Sequence, residues 1–219
     1  DLDIFALESH QKAKYATEMK YFDLEILPLA GKNEHNDTDM VLADEGIRFD
    51  ASIEALAGLK TVVEGGVITP GNASQITDGA AAIMICNDEG LKKIKCDPRA
   101  KITALSVVGD DPVFMLTGPI PASHKVLARA NLNIDDMDLY EVNEAFAPVP
   151  LAWAEELNAD MSKLNVNGGA MALGHPLGAT GAKLMTTMLH ELERRKGKYA
   201  LQAICEGGGT ANATIIERI

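Results

Sequence analysis

The sequence predicts an α/β fold, a layered domain built around a buried sheet. Three observations carry this. From residue 101 onward, apolar runs of strand length alternate with amphipathic runs of helix length. Proline stands at helix starts and glycine at helix ends, so the elements have defined borders. Polar or glycine-rich loops follow the strands, at the position where α/β folds bind ligands.

Residues 4–20 predict a helix with Ile4, Leu7, His10 or Gln11 and Tyr15 near one face, and Lys12, Lys14 and Lys20 supplying charge. Leu24 to Leu29 reads as a short strand. Residues 30–50, with Gly31, Asn33, Asn36, Asp37 and Asp39, read as an exposed loop. Ser52 to Leu59 fits a short helix ending near Gly58. Gly65 to Asn72 is a loop whose small residues allow close approach. The unbroken apolar run Ala80 to Cys86 predicts a buried strand. Asn87 caps the helix that follows, with Asp88 and Glu89 in its first turn, and Asp97-Pro98 stops it.

The alternation then becomes regular. Lys101 to Val108 is a strand, and Pro121 to Asn131 a helix. Leu139 to Val142 is a short strand, and Pro148 to Leu157 a helix. Gly178 to Lys196 is a helix with an apolar stripe of Leu184, Met185, Met188, Leu189 and Leu192. Arg194, Arg195 and Lys196 complement its carboxy-terminal dipole, and Gly197 ends it. Tyr199 to Cys205 and Asn212 to Glu217 are final strands joined by a glycine turn.

Composition narrows the function classes. The 219 residues are 47% hydrophobic and 24% charged, as in a globular protein, and carry a net charge of −12. That charge excludes nucleic acid and anionic membranes as partners. No run approaches the roughly 18 apolar residues of a membrane span, and no signal peptide opens the chain. The chain begins without Met, as a cut piece or mature fragment would. Cys86, Cys96 and Cys205 show no metal spacing, which predicts reduced thiols in the cytoplasm and no metal.

Three segments suggest chemistry: Asn143-Glu144-Ala145-Phe146, Asn165 to Gly181 with Gly174-His175-Pro176 inside it, and Cys205-Glu206-Gly207-Gly208-Gly209. Glycines let backbone N–H groups approach a ligand closely, and such groups suit an oxyanion. A thiol beside those dipoles is expected to ionise more readily than an ordinary one, and to act as general acid or base. His175 can donate to an oxyanion or exchange a proton with a thiol. Each residue also has a structural reading. Cys205 alone reads as a buried strand-end residue, His175 as a turn residue, Asn143 as a helix cap and Glu144 as a first-turn dipole complement. The three loops together favour a site.

In these loops the sequence resembles the thiolase family, of the acetyl-CoA acyltransferase or acetyltransferase type. Ala6 to Ala13 (ALESHQKA) and Pro70 to Ala82 (PGNASQITDGAAA) match as well. The resemblance implies a thiolase-like layered α/β domain with a mixed sheet, preceded by part of the lid region. It places lid remnants at 1–75, the last strand and helix of the amino-terminal half at 76–97, and a carboxy-terminal thiolase domain at 98–219. It implies thiolytic cleavage of 3-ketoacyl-CoA, or the reverse Claisen condensation, as in fatty-acid β-oxidation and lipid metabolism.

In that family pattern Cys205 is the acid/base, and His175 activates the nucleophile and binds the thioester oxygen. Asn143 holds a water of the same oxyanion hole, and the Gly207 N–H serves a second. Arg48 lies near the CoA nucleotide, with Ser74, Ala145 and Phe146 near the pantetheine arm. A lone loop arginine is as readily a solvated one. CoA is a substrate, with no permanently bound cofactor. Partners are acyl-CoA, CoA and an amino-terminal thiolase half in the same polypeptide or a separate chain, within a homodimer or homotetramer. The family's nucleophilic cysteine belongs to that half, upstream of Asp1, so this chain alone is expected to be inactive. The neighbours of Cys86, Ile85 and Asn87, do not resemble the nucleophile's surroundings, and Cys86 reads as a core residue; Cys96 has no motif around it. His10, His35, His124 and His190 read as solvated. A ketoacyl synthase relative and a non-catalytic acyl-CoA-binding subunit are the alternatives. The first is disfavoured by Cys205, where such enzymes place His or Asn.

Overall fold

The computed structural model describes residues 1–32 and 35–219. In chain order, the amino-terminal part contributes helix α1 (Leu2–Glu18), strands β1 (Leu29–Lys32) and β2 (Thr38–Val41), and helices α2 (Ile53–Ala57) and α3 (Asp88–Ile94). The remainder runs β3 (Ala100–Gly109), α4 (Pro119–Ala130), β4 (Leu139–Val142), α5 (Pro148–Leu157), α6 (Ala170–Leu173), α7 (Thr180–Arg195), β5 (Tyr199–Cys205) and β6 (Thr210–Arg218).

The sheet that organises the molecule has the order β3-β6-β5-β4. β6 pairs antiparallel with β3 and with β5, and β5 pairs parallel with β4, so the sheet is mixed. Alternate residues of each strand face opposite sides. Tyr140, Val142, Leu201, Ala203, Ala213 and Ile215 pack under α4 and α5. Leu139, Ala200 and Ile216 face the other way and meet Met188 and Leu192 of α7. Both faces of β4 and β5 are therefore dry, which is why these strands read as apolar runs. Trp153 anchors the first layer: its ring lies 5.3 Å from that of Tyr140, and its Nε1 donates to Ser123 Oγ at 2.8 Å. Ser106 Oγ, from β3, donates to the Ala122 carbonyl at 2.7 Å and ties α4 to the sheet edge.

The α/β reading is the fold observed. In the amino-terminal part the structure departs from expectation. The buried face of α1 is Phe5, Ala6, Ser9, His10, Ala13 and Ala16, while Ile4 and Tyr15 are exposed. Small residues line that face because a loop presses on it: a Cβ at Gly168 would stand 2.6 Å from the Ser9 carbonyl and 2.8 Å from Ala13 Cβ. Leu24 and Glu25 lie in a turn and Ile26 to Pro28 in no regular element, so β1 begins only at Leu29, after a proline that cannot donate to a ladder. Residues 30–50 hold the β1–β2 hairpin as well as loop, and Ile47 is buried against Ala13 and Ala16. Asn33, expected as a turn residue there, lies outside the described residues.

Ala80 to Cys86 is not a strand and is exposed throughout. A strand exists only as part of a ladder, and among the described residues no neighbour pairs with it. Cys86 is accordingly exposed, against the expected core position. The helix after it is as anticipated, with Asn87 Oδ1 accepting from Gly90 N–H at 2.9 Å.

Candidate active site

β4 and β5 run side by side in one direction with Val142 opposite Ala203, so the chain leaves both carboxyl ends at one place. Asn143 follows β4 and donates its backbone N–H to the Ala203 carbonyl at 3.0 Å. Asn143 is thus the last rung of a ladder, and α5 starts only at Pro148. Cys205 ends β5. The turn after it has Gly208 and Gly209 at φ +73° and +81°, a region that costs glycine little. Around Gly207 and Gly208 the space is open, with no atom within 4 Å of where a Cβ would stand.

His175 reaches the same place from the loop between α6 and α7. Gly174 before it has φ +81°, and a Cβ there would collide with the Thr77 side chain. The His175 N–H donates to the Gln75 carbonyl at 3.1 Å. Its Nε2 lies 3.3 Å from Asn143 Nδ2 and its Nδ1 2.6 Å from Thr180 Oγ1. Partial burial holds the imidazole below the ordinary histidine range, so it is neutral near pH 7.

These residues meet at an open cavity of ≈ 530 Å³, a size that suits a small-molecule site. His175, Cys205, Gly207 and Ala145 line it, with Leu116 and Leu177 among the apolar walls. Phe146 packs beside Cys205 and Val149 under the floor. Asn143 is buried and touches the site through His175; its Oδ1 has no partner among the described residues. Ser74 is held next to this loop by its N–H, which donates to the Ala145 carbonyl at 3.0 Å, but it does not line the cavity. Arg48 does not line it either; it is exposed, and its backbone N–H donates to His10 Nδ1 at 3.1 Å.

Two expectations about titration are corrected. The thiol of Cys205 is held above the ordinary range, not below it. Burial is the first cause, and the Glu206 carboxylate adds to it against a backbone N–H that favours the thiolate. The residue is only 8% exposed, and desolvation outweighs the dipoles of the turn. His10 is buried rather than solvated, and burial lowers its pKa, with the Arg48 charge adding to it.

Glu144 is a structural centre that the sequence did not distinguish from a helix-end carboxylate. It is 1% exposed. It accepts from Ser9 Oγ at 2.7 Å, Asn165 Nδ2 at 2.9 Å and the Met171 N–H at 3.1 Å. Ser9 Oγ in turn accepts from the Gly169 N–H. One carboxyl therefore joins α1, the loop after β4 and the glycine loop before α6. Burial still raises its pKa above the ordinary range. Gly169 is glycine because a Cβ would overlap the Glu144 carboxyl. Gln75 ties segments together in the same way, since its Nε2 donates to the Gly46 and Met171 carbonyls, each at 2.7 Å. Neither role has a sequence signal, because each partner is remote in the chain.

A cysteine, a histidine and an asparagine are gathered over a glycine turn, a set of groups that can serve acyl transfer. The thiolase carboxy-terminal domain model matches residues 96–218, and the thiolase amino-terminal domain model matches residues 1–89. The chain belongs to the thiolase family. It carries a stretch of both domains, which corrects the expectation of a carboxy-terminal portion alone. It is 51% identical over 219 residues to the steroid 3-ketoacyl-CoA thiolase FadA6 of Mycobacterium tuberculosis, covering 100% of the chain and 52% of that protein. To a beta-ketoadipyl-CoA thiolase of Acinetobacter baylyi it is 46% identical over 222 residues, covering 100% and 55%. The crystal structure of human mitochondrial 3-ketoacyl-CoA thiolase superposes with a TM-score of 0.93 at 42% identity, covering 100% of this chain and 55% of that one. The same human enzyme is also known in complex with CoA. The chain thus spans about half the length of the relatives it matches.

Proposed function

We infer that the protein is an acyltransferase that cleaves 3-ketoacyl-CoA with CoA, or runs the reverse condensation of two acyl-CoAs. The observation that carries this is that His175 and Cys205 line one cavity beside the open Gly207 turn, with Asn143 against the His175 ring. Carbon–carbon cleavage beside a thioester needs an enolate stabilised and a proton moved. Cys205 would move that proton. Its raised pKa suits a group that starts protonated and gives a proton to the departing carbon. His175 and a water on Asn143 would hold the thioester oxygen, and the Gly207 N–H the acyl oxygen. Ala145, Phe146 and Ser74 would flank the pantetheine arm, with Arg48 toward the nucleotide. CoA enters as substrate.

In this reading residues 1–75 are lid, 76–97 close the amino-terminal half, and 98–219 form the carboxy-terminal domain. The nucleophilic cysteine comes from an amino-terminal half, within a homodimer or homotetramer. Cys86 and Cys96 are exposed and away from the cavity, which supports this. Three free thiols fit a reducing cytoplasm.

The test is turnover of acetoacetyl-CoA with CoA, followed by loss of enolate absorbance. The 219-residue chain is assayed alone and paired with the part of a thiolase relative that the match does not cover. Turnover only in the paired sample, abolished by Cys205→Ser, is the expected result. Robust turnover by the chain alone overturns the assignment of the nucleophile.

A further inference from the structure

We propose that Thr180 is a positioning residue that fixes His175 as the Nδ1–H tautomer, so that a bare Nε2 faces the cavity. His175 Nδ1 and Thr180 Oγ1 are 2.6 Å apart, so one of them donates to the other. Thr180 has a single hydroxyl proton, and the Pro176 carbonyl, 3.0 Å away and one helical turn back, is in reach to accept it. With the proton there, the Thr180 oxygen is left to accept, and His175 Nδ1 carries the hydrogen. On the opposite side of the ring the Asn143 amide, as oriented, fits the same tautomer. Asn143 Nδ2, which can only donate, lies 3.3 Å from His175 Nε2. A donor faces a nitrogen that is bare. Thr180 is buried at the first turn of α7, and Pro176 adjoins His175, so acceptor, hydroxyl and ring are tied within one short stretch.

The consequence rests on the acyl-transfer reading above. With Nε2 bare, His175 can take a thiol proton but cannot donate at Nε2 until it has done so. The S–H bond breaks, its electron pair stays on sulfur, and the proton forms Nε2–H. Only the resulting imidazolium can then donate Nε2–H to a thioester oxygen. Thr180 thereby sets the order in which His175 acts, as proton acceptor first and oxyanion donor second. The reverse tautomer would present Nε2–H to the cavity from the start and leave no base there. In the sequence Thr180 is only one residue of a glycine-rich motif, with nothing to mark it as a partner of the ring.

The test reads the tautomer rather than the activity. The 219-residue chain is labelled with 15N-histidine, and two-bond 1H–15N correlations are recorded at about pH 8, above the ordinary histidine range. His175→Gln assigns the signals. In the wild type, Nδ1 is expected to be protonated and Nε2 bare. Thr180→Val, which keeps the shape and removes the hydroxyl, is expected to shift the tautomer ratio toward Nε2–H about fivefold, the equivalent of one neutral hydrogen bond. Thr180→Ser restores it. A residue that merely supports α7 would change the stability of the Val variant and leave the tautomer alone. An Nε2–H wild-type ring overturns the proposal, as does a Val variant with an unchanged ratio. If the Val variant does not fold, the wild-type spectrum and the Ser and Ala variants still decide it. An Nδ1–H ring, with no turnover even when the chain is paired with the missing part of a thiolase relative, would remove the acyl-transfer reading and leave Thr180 in its place.

Discussion

Glu25 offers a sharp test of the physical reasoning. It sits in the turn after α1, packed against α7, where its Oε1 accepts from Thr187 Oγ1 at 2.8 Å. His190 Nδ1 is 3.3 Å from Oε2, but it is also 2.9 Å from the Thr186 carbonyl, so it lends the carboxylate little. Burial dominates, and the Glu25 pKa is pushed up to about 7 from an ordinary 4.5. The Thr187 hydroxyl and Lys183 oppose this, while Asp44 and Glu191 add to it. A carboxyl raised in the folded state destabilises the fold once it must ionise. Below pH 4.5 the group is protonated in both states and has no effect. The cost grows as pH rises from 4.5 to 7 and is complete above that. Carrying a carboxyl across that interval corresponds to about 3 kcal/mol.

Glu25→Gln keeps the shape and the acceptor for Thr187, and removes the ionisation. Urea unfolding of both proteins from about pH 4.5 to 8.5 measures the difference, in which all other titrations cancel. The Gln variant should match the wild type at about pH 4.5 and exceed it by about 3 kcal/mol at about pH 8. Two parallel stability curves would refute the claim that burial, and not the His190 contact, governs this residue.

Other perturbations follow from the same contacts. Glu144→Ala strips the acceptor from Ser9, Asn165 and Met171, and should cost about 3 kcal/mol or more in urea unfolding. Gly169→Ala drives a methyl into the same carboxyl and should cost roughly 1–3 kcal/mol, read as a lowered thermal midpoint. Alkylation followed by mass spectrometry should label exposed Cys86 and Cys96 well before Cys205, whose labelling should need a pH above the ordinary thiol range. His10 runs opposite in sign to Glu25. Its pKa is lowered, so the fold should lose stability as pH falls below 6.5, and His10→Gln should flatten that limb.

Much of this protein was legible in the chain. Leu139–Val142, Pro148–Leu157 and Tyr199–Cys205 begin and end as read, because strand and helix periodicities and proline placement are local signals. Asn143, His175 and Cys205 stood out because three glycine-rich or polar loops occur together, although each residue alone has an ordinary structural use. Periodicity could not place Ala80 to Cys86, since an apolar run becomes a strand only when a neighbour supplies a ladder. Nor could it find the buried face of α1, where packing against Gly168 selects Ala and Ser over Ile4 and Tyr15.

By itself, then, the sequence determined the α/β class, most carboxy-terminal elements, the three loops and their family. These are properties of neighbours along the chain. The tertiary structure alone decided that Cys205 is a reluctant thiol, that Glu144 joins three segments, and that Thr180 and Asn143 face opposite edges of one imidazole. Burial and hydrogen-bond direction set those properties, and both depend on residues brought together from as far apart as Ser9 and Gly169.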